Sequence, residues 1–225
     1  MTVKKGDFIE IDFVGRIKDS GIVFDLTRKE VAEKEKIANK SADYSPRTIC
    51  VGNKDVVRGL DDSFIGKDVK KKYDVEIKGE DAFGKKNAKL IKMVPLNVFK
   101  KQNINPFPGL QVNIDGMFGI VRTSSGVRVL VYFNHPLAGK DISYEVEIKR
   151  IVNDDAEKVV GIINGLIGRK VKCGVKNGIA KVEMELPKEF QKVLEESILK
   201  LVKGLKAVEF EKAKAETKEK VTTKK

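Results

Sequence analysis

The chain has 225 residues, 41% of them apolar, which suffices for one large domain or two smaller ones and excludes extended disorder. It contains no run of about 18 apolar residues and no apolar stretch behind its first lysines, so neither a membrane helix nor a secretory leader is expected. The two cysteines lie far apart and there is one histidine, so we expect no disulfide framework, no metal site and no cofactor. These features favour a cytoplasmic protein.

The formal net charge of +12 suggests attraction to polyanions, of which nucleic acid is the first to consider. The excess is not concentrated, because residues 1–150 hold 28 basic and 21 acidic side chains and residues 151–225 hold 17 and 12. Most lysines alternate with acidic residues, which is typical of a solvated surface. A weak association with nucleic acid or the ribosome therefore stays open.

Short strands and short helices are predicted for the first 86 residues. Charged and apolar residues alternate over 7–14, which indicates a half-buried strand, and a turn is expected from Gly15 to Gly21. The same alternation returns over 141–151. The other expected elements are an extended piece from Val23, a surface helix over 28–39, a strand over 47–51, a helix over 56–65 and a strand over 72–78.

Composition changes between residues 87 and 134. This segment has one acidic residue, Asp115, against six Lys and Arg, and about half of it is apolar. It therefore reads as a separate small β-rich module, with a helix over 95–102, strands over 110–115, 117–122 and 127–133, and turns at 115–116 and 124–126.

A third composition begins near residue 154, where the pattern predicts the order αββαβ up to residue 212. The last helix carries a wide apolar stripe, which consists of Phe190, Val193, Leu194, Ile198, Leu201 and Val202. Such a stripe fits either an internal core or a self-complementary dimer surface. Residues 213–225 are expected to form a charged tail.

Four short motifs stand in an order that resembles the FKBP-type peptidyl-prolyl isomerases, and in particular their SlyD-like branch and its long archaeal members. They are Phe24-Asp25, the sequence VVRGL at 56–60, AFG at 82–84 and NHPLAG at 134–139. The resemblance covers residues 3–152. It implies an α+β fold in which an antiparallel half-barrel, formed by 1–86 and 135–153, surrounds a short helix. It also implies an insert-in-flap chaperone domain at 87–134 and an α+β dimerisation domain at 154–212.

The resemblance also implies the site residues. The pocket would be lined by Phe13, Phe24, Val56, Val57, Leu60, Phe83, Ile142 and Tyr144, with Asp25 at its polar edge and the backbone N–H of Val57 binding a substrate carbonyl. Candidate client-binding residues of the insert are Met93, Val94, Phe99, Phe107, Met117 and Phe118, some of which must form the insert's own core.

The chain departs from the family at two aromatic positions. Many members have Tyr where Phe13 and Phe83 stand, so two hydroxyl groups are missing, each worth about 0.5–1.5 kcal/mol as a hydrogen bond. Leu60 stands where single-domain immunophilins have Trp, which makes macrolide binding doubtful. His135 lies at a domain junction and is given no catalytic role.

Three functions remain open on the sequence. The first is a prolyl isomerase and folding chaperone that acts on Xaa-Pro bonds of unfolded or nascent chains, whose slow isomerisation limits folding. The second is a holdase chaperone with a vestigial pocket. The third is a basic protein that associates with nucleic acid or the ribosome. The scarcity of aromatic residues among the basic runs argues against this third function.

Overall fold

The computed structural model describes residues 1–211 and shows a mixed α+β architecture. Within this range the sheets are mostly antiparallel, none closes into a barrel, and no helix is long and apolar enough to cross a membrane. The elements in chain order are β1 (Phe8–Ile17), β2 (Val23–Leu26), α1 (Lys29–Lys34), β3 (Arg47–Cys50), α2 (Arg58–Ser63), β4 (Lys71–Ile77), a 3-10 turn (Ala88–Leu90), β5 (Ile91–Pro95), α3 (Leu96–Lys101), β6 (Gln111–Ile114), β7 (Met117–Ser125), β8 (Arg128–Tyr132), β9 (Ile142–Ile151), α4 (Asp155–Ile167), β10 (Cys173–Lys176), β11 (Ile179–Glu183), α5 (Lys188–Leu201) and β12 (Ala207–Glu211).

These elements form two compact units. The first comprises residues 1–16, 22–75 and 143–211, and the second comprises 17–21 and 76–142. The predicted insert at 87–134 lies inside the second unit, which extends beyond it on both sides. The predicted charged tail at 213–225 lies outside the described residues.

A five-stranded sheet with the order β2-β1-β9-β4 underlies the first unit, and β3 also pairs with β1. The first half of β1 pairs with β3 and the second half with β2, in both cases antiparallel. The alternation predicted for β1 is confirmed, because Ile9, Ile11 and Phe13 are almost fully buried while the acidic residues between them are partly exposed. One face of the sheet therefore supplies core side chains.

Two local predictions in this unit are wrong at their boundaries. The turn does not begin at Gly15, because β1 continues to Ile17 and Gly15 pairs with Asp25. Helix α1 is shorter than predicted because Lys36 adopts a left-handed conformation with φ +58°. The N–H of Ile37 then returns to the carbonyl of Ala32 at 2.9 Å, which closes the helix.

Residues 154–211 follow the expected order αββαβ and form a three-stranded sheet, β10-β11-β12. Strands β10 and β11 form an antiparallel hairpin, whereas β12 runs parallel to β11 because α5 connects them. The carboxylate of Asp154 caps α4 by accepting the N–H of Glu157 at 2.9 Å, and Gly168 ends the helix with φ +70°.

This C-terminal segment shares its hydrophobic core with the five-stranded sheet. Phe8 and Cys50 belong to the same buried cluster as Val159, Ile163 and Ile198. Helix α4 also approaches β3 closely at Gly161, where an added Cβ would lie 2.7 Å from the Cβ of Thr48. The C-terminal segment therefore has a buried core that Phe8 and Cys50 of the five-stranded sheet extend, and it belongs to the first unit.

An antiparallel four-stranded sheet, β5-β8-β7-β6, forms most of the insert in the second unit. Asp115 and Gly116 both have positive φ and form the predicted tight turn between β6 and β7. The predicted turn at 124–126 is shifted, because Ser124 and Ser125 still pair within the sheet. The core of the insert consists of Val94, Phe99, Val112, Ile114, Val121, Val129 and Val131.

Candidate active site

Three aromatic rings from three strands meet in the first unit. Tyr144 on β9 lies between Phe13 on β1 and Phe24 on β2, with ring centroids 5.6 Å and 5.7 Å away and both contacts edge-to-face. Phe13 and Tyr144 are only 1% and 3% exposed, whereas Phe24 is half-buried. The cluster thus provides a rigid apolar floor with one accessible edge.

Gly15 makes this cluster possible, although the local sequence pattern predicts a turn from this residue. An added Cβ at Gly15 would lie 2.7 Å from Cε1 of Tyr144 and 3.0 Å from Cζ of Phe24, so only glycine admits both rings here. The available signal was a glycine inside an alternating strand, which often marks a close approach.

The polar edge of the cluster is an ion pair. The guanidinium of Arg47 lies 3.4 Å from the Asp25 carboxylate and also 5.4 Å from the centre of the Phe13 ring. Burial raises the pKa of Asp25 above its ordinary value, and the positive charge of Arg47 opposes that rise. Arg47 was not identified from the sequence, because its partners lie far away along the chain.

Burial also raises the pKa of the Tyr144 hydroxyl, and the negative charge of Asp25 adds to this rise. Tyr144 is therefore protonated throughout the physiological range and can act as a hydrogen-bond donor. The chain thereby keeps one phenolic hydroxyl in the cluster, although Phe13 lacks one.

The segment before α2 carries the next predicted site residues. Val56 and Val57 are half-buried, and Leu60 is fully buried. The N–H of Val57, which precedes the helix, makes no hydrogen bond to any of residues 1–211, as expected for a helix start. It is therefore a donor to which a peptide carbonyl could bind.

Asp61 on α2 fixes this segment, a role that no local sequence pattern predicts. Its carboxylate is 2% exposed and accepts the N–H groups of Gly52 and Lys54 at 2.8 Å and 2.9 Å. These bonds hold the turn that leads into Val56 and Val57, so Asp61 is a positioning residue.

Two predicted pocket residues belong to the second unit. Phe83 is half-buried and stacks on the ring of His135, with centroids 4.6 Å apart and an interplanar angle of 5°. Ile142 is fully buried at the start of β9. Their place in the pocket stays a prediction. His135 accepts the N–H of Leu137 at 3.2 Å, which fits a loop residue rather than a catalyst.

The candidate client-binding residues divide into two groups. Val94 and Phe99 are buried, so they are the candidates that form the insert's own core and they are not exposed contact residues. Met93, Phe107 and Phe118 are 59%, 57% and 78% exposed, and Met117 is half-buried. Val127 is 75% exposed and adds an apolar side chain that the sequence analysis overlooked.

No group of three or more metal-ligating side chains lies together within residues 1–211. Both cysteines are free thiols, and burial raises the pKa of each to about 11, so neither is an activated nucleophile. The side chains that the site does bring together are apolar rings, the ion pair of Asp25 and Arg47, and the Tyr144 hydroxyl.

Comparison with known proteins gives the family of the chain. The family model described as FKBP-type peptidyl-prolyl cis-trans isomerase matches residues 1–97, and that described as FKBP26, IF domain, matches residues 92–137. The short-type peptidyl-prolyl cis-trans isomerase of Methanocaldococcus jannaschii is 27% identical over 155 residues, which cover 69% of this chain and 98% of the relative.

Two bacterial relatives agree with this result. A probable FKBP-type 16 kDa peptidyl-prolyl cis-trans isomerase of Pseudomonas fluorescens is 32% identical over 111 residues, covering 47% of this chain and 73% of the relative. The SlyD isomerase of Escherichia coli K12 is 26% identical over 156 residues, covering 64% and 76%. The chain is therefore a SlyD-like enzyme of the FKBP-type peptidyl-prolyl cis-trans isomerase family.

Proposed function

We propose that the cluster of Phe13, Phe24 and Tyr144, edged by Asp25, binds the prolyl ring of a client chain and catalyses rotation of the Xaa-Pro bond. The observation that carries this proposal is the fixed edge-to-face packing of the three rings beside a paired carboxylate. The remaining residues of the predicted pocket are Val56, Val57, Leu60, Phe83 and Ile142.

The chemistry requires no nucleophile. Rotation about the amide must overcome a barrier of about 18–20 kcal/mol because resonance is lost, and no covalent bond breaks. A dry apolar pocket disfavours the polar planar amide relative to the twisted transition state. The N–H of Val57 can hold the substrate carbonyl while the rings exclude water.

Arg47 compensates in part for the hydroxyl that Phe13 lacks. In many family members a tyrosine hydroxyl contacts the aspartate at the position of Asp25, whereas here the Arg47 guanidinium lies beside that carboxylate. Because Arg47 also covers the Phe13 ring, it fixes Asp25 and the pocket floor together. We therefore expect an active isomerase rather than a vestigial pocket.

Peptide turnover tests this function. We expect the full chain to accelerate cis-trans isomerisation of a short Xaa-Pro peptide, and Phe83→Ala and Asp25→Ala to lower kcat/KM while the protein stays folded. Unchanged turnover in both variants, with unchanged Tm, would contradict the pocket assignment. Absence of turnover in the wild-type chain, with clients still protected from aggregation, would favour the holdase alternative.

The second part of the proposal is that the insert acts as a chaperone module for unfolded or nascent chains. Its exposed apolar side chains Met93, Phe107 and Phe118 occur in a segment with a single acidic residue. Such a surface can bind varied apolar and acidic segments, and methionine adapts well to different partners. Because the insert and the isomerase residues belong to one chain, a client bound by the insert has a raised effective concentration at the isomerase site.

A homodimer is the third part. Leu194, Ile198 and Val202 on or next to α5 are buried, but Phe190 and Val193 are 63% and 61% exposed. A second copy of the chain could cover these two side chains, and light scattering of the double variant Phe190→Ser/Val193→Ser would then report a shift towards monomer. A monomeric wild-type chain at micromolar concentration would refute the dimer.

Cytoplasmic location is proposed because Cys50 and Cys173 are both free, as is usual in a reducing compartment. The net charge of +12 supports, in addition, a weak association with the ribosome or nucleic acid. That association should weaken steeply with salt concentration, and binding that is insensitive to salt would exclude it.

A further inference from the structure

A large cavity of about 840 Å³ lies in the first unit, between the β2–β3 region and helices α4 and α5. We call it the flanking groove. Its walls include Phe24, Asp25 and Arg47 on one side and Leu166, Lys200 and Leu201 on the other. Its volume falls within the range of about 300–1,000 Å³ that is typical of ligand pockets.

Packing of the C-terminal segment holds the two walls together. Gly161 of α4 lies against Thr48 of β3, and both residues line the groove. The ion pair between Asp43 and Lys170, at 2.9 Å, ties the loop before β3 to the chain after α4. The groove is therefore a built feature of the first unit and not a gap between loose segments.

The groove is continuous with the candidate isomerase site, because Phe24 and Asp25 belong to both. It also contains exposed apolar surface from two distant parts of the chain. Ile37, which follows α1, is 48% exposed, and Leu166 on α4 is 61% exposed. These side chains line the groove and do not belong to the buried cluster that contains Phe8, Val159 and Ile198.

The acidic side chains that line the groove have partners, whereas two of its lysines form no ion pair among the described residues. Asp25 and Asp43 are paired with Arg47 and Lys170. The Asp55 carboxylate accepts hydrogen bonds from the backbone N–H of Cys50 and from the side-chain amide of Asn53. By contrast, the exposed groove residues Lys54 and Lys200 form no ion pair with any of residues 1–211. A ligand that enters the groove therefore meets, beside apolar surface, two lysine side chains that have no acidic partner among residues 1–211.

We propose that the flanking groove binds the stretch of client chain next to the Xaa-Pro bond and prefers an apolar residue accompanied by an acidic one. The proposal rests on the proposed isomerase function, because the shared residues Phe24 and Asp25 connect the two sites. In this arrangement the C-terminal segment is a specificity element of the isomerase, in addition to any role in dimerisation.

Peptide isomerisation by the full chain tests the proposal. The substrates are a short Xaa-Pro tetrapeptide and versions extended by four residues, before or after the proline, that carry Leu-Glu or Leu-Lys. For at least one direction we expect kcat/KM to be about two- to fivefold higher with Leu-Glu, the size expected for exposed ion pairs. Equal values for Leu-Glu and Leu-Lys in both directions would overturn the proposal.

Matched variants locate the effect. Lys200→Glu should abolish the preference for Leu-Glu, whereas Lys192→Glu, an exposed lysine on the same helix outside the groove, should retain it. Leu166→Asn should reduce the gain from either extension, whereas Ile65→Asn, at an exposed apolar residue outside the groove, should not. Equal effects of Lys200→Glu and Lys192→Glu would overturn the groove assignment.

Binding separates this inference from the isomerase function. Fluorescence anisotropy of the extended peptides should show the same Leu-Glu preference in the wild-type chain and its loss in Lys200→Glu. If the tetrapeptide is not turned over but the peptides still bind with this preference, the result contradicts the isomerase function and supports the groove as a binding site. If the tetrapeptide is turned over but no preference is found, only the groove fails.

Discussion

The isomerase sheet and the insert use the same kind of side chain in opposite ways. In the first unit the aromatic rings are packed against each other, with Phe13 and Tyr144 almost fully buried. In the insert Phe107 and Phe118 are more than half exposed, whereas aliphatic side chains and the single ring of Phe99 fill the buried core. Rings locked in one geometry suit one transition state, whereas exposed rings suit many partners.

Charge follows the same division. In the first unit Arg150 pairs with Glu10 and Glu157 at 2.7 Å each, so acidic and basic side chains neutralise one another. The insert contains six basic residues and one acidic residue. Two of the basic side chains lie over aromatic rings, Lys92 over Phe133 and Arg122 over Tyr132. The insert therefore presents a basic and apolar surface, while the isomerase sheet presents a balanced one.

The largest expected effect comes from removing the exposed apolar side chains of the insert. The triple variant Met93→Ser/Phe107→Ser/Phe118→Ser should lose suppression of client aggregation by about tenfold or more, because each buried apolar side chain is worth about 1.5–3 kcal/mol. Turnover of a short peptide should change by less than about twofold. Aggregation assays and peptide kinetics on the full chain measure both quantities.

The matched control for this variant is Ile22→Ser/Ile65→Ser, which removes two exposed apolar side chains outside the insert. It should protect clients as well as the wild-type chain does. Full protection by the triple variant would show that the insert is not the chaperone surface.

Asp61 should give the next largest effect. Asp61→Ala leaves the N–H groups of Gly52 and Lys54 without their acceptor, and hydrogen bonds to a carboxylate are worth about 1.5–3 kcal/mol each. We expect lower stability in urea and a higher KM for peptides, because the turn before Val57 loosens. Asp62→Ala, at an exposed neighbour in an ion pair with Arg58, should change neither.

Gly15→Ala tests the ring packing itself. The new methyl group would overlap Tyr144 and Phe24, and overpacking typically costs about 1–3 kcal/mol. We expect a lower Tm together with a lower kcat/KM. The control is Gly174→Ala on β10, where an added Cβ meets no atom within 4 Å. It should leave both Tm and kcat/KM unchanged. Wild-type stability and turnover in Gly15→Ala would mean that the rings are free to move.

The sequence predicted those parts of the fold that depend on local patterns. The alternation of β1 and β9 and the helices α4 and α5 were expected because periodicity and end signals are contained within each segment. Strand β5 was not predicted, because Lys92-Met93-Val94 gives no clear alternation. There Val94 is buried and the neighbouring Met93 is exposed, and composition alone could not distinguish the two.

The candidate site could be predicted as far as the family resemblance extends, and most directly where a short family motif marks it. Phe24, Asp25 and Val57 lie in such motifs, whereas Gly15, Arg47 and Asp61 act through contacts with distant parts of the chain. The role of Arg47, for example, depends on β1 and β2 bringing Phe13 and Asp25 to the same place. Long-range pairing of this kind leaves no signal in the local sequence.

The smallest expected effect concerns the proton on Asp25. Burial raises the pKa of this carboxyl above its ordinary value of 3.8, and Arg47 opposes the rise. Arg47→Met should therefore raise the pKa of Asp25 further, which a carbon-detected NMR titration of the side chain can measure. Arg58→Met, which removes the exposed partner of Asp62, is the control and should leave Asp25 unchanged.

The same shift predicts how stability depends on pH. Because the folded state holds this proton more tightly than the unfolded state, the contribution of Asp25 to the free energy of unfolding falls as pH rises from 3.8 through the raised pKa. Asp25→Asn has no carboxyl to titrate at this position and therefore does not lose this contribution. The free energy of unfolding of the variant minus that of the wild-type chain should increase across that pH interval and stay constant above it. The increase should be larger in the Arg47→Met background, because the unpaired buried carboxylate is then less favourable. Urea unfolding at several pH values measures both differences, and a pH-independent difference would show that Asp25 titrates as it does in the unfolded chain.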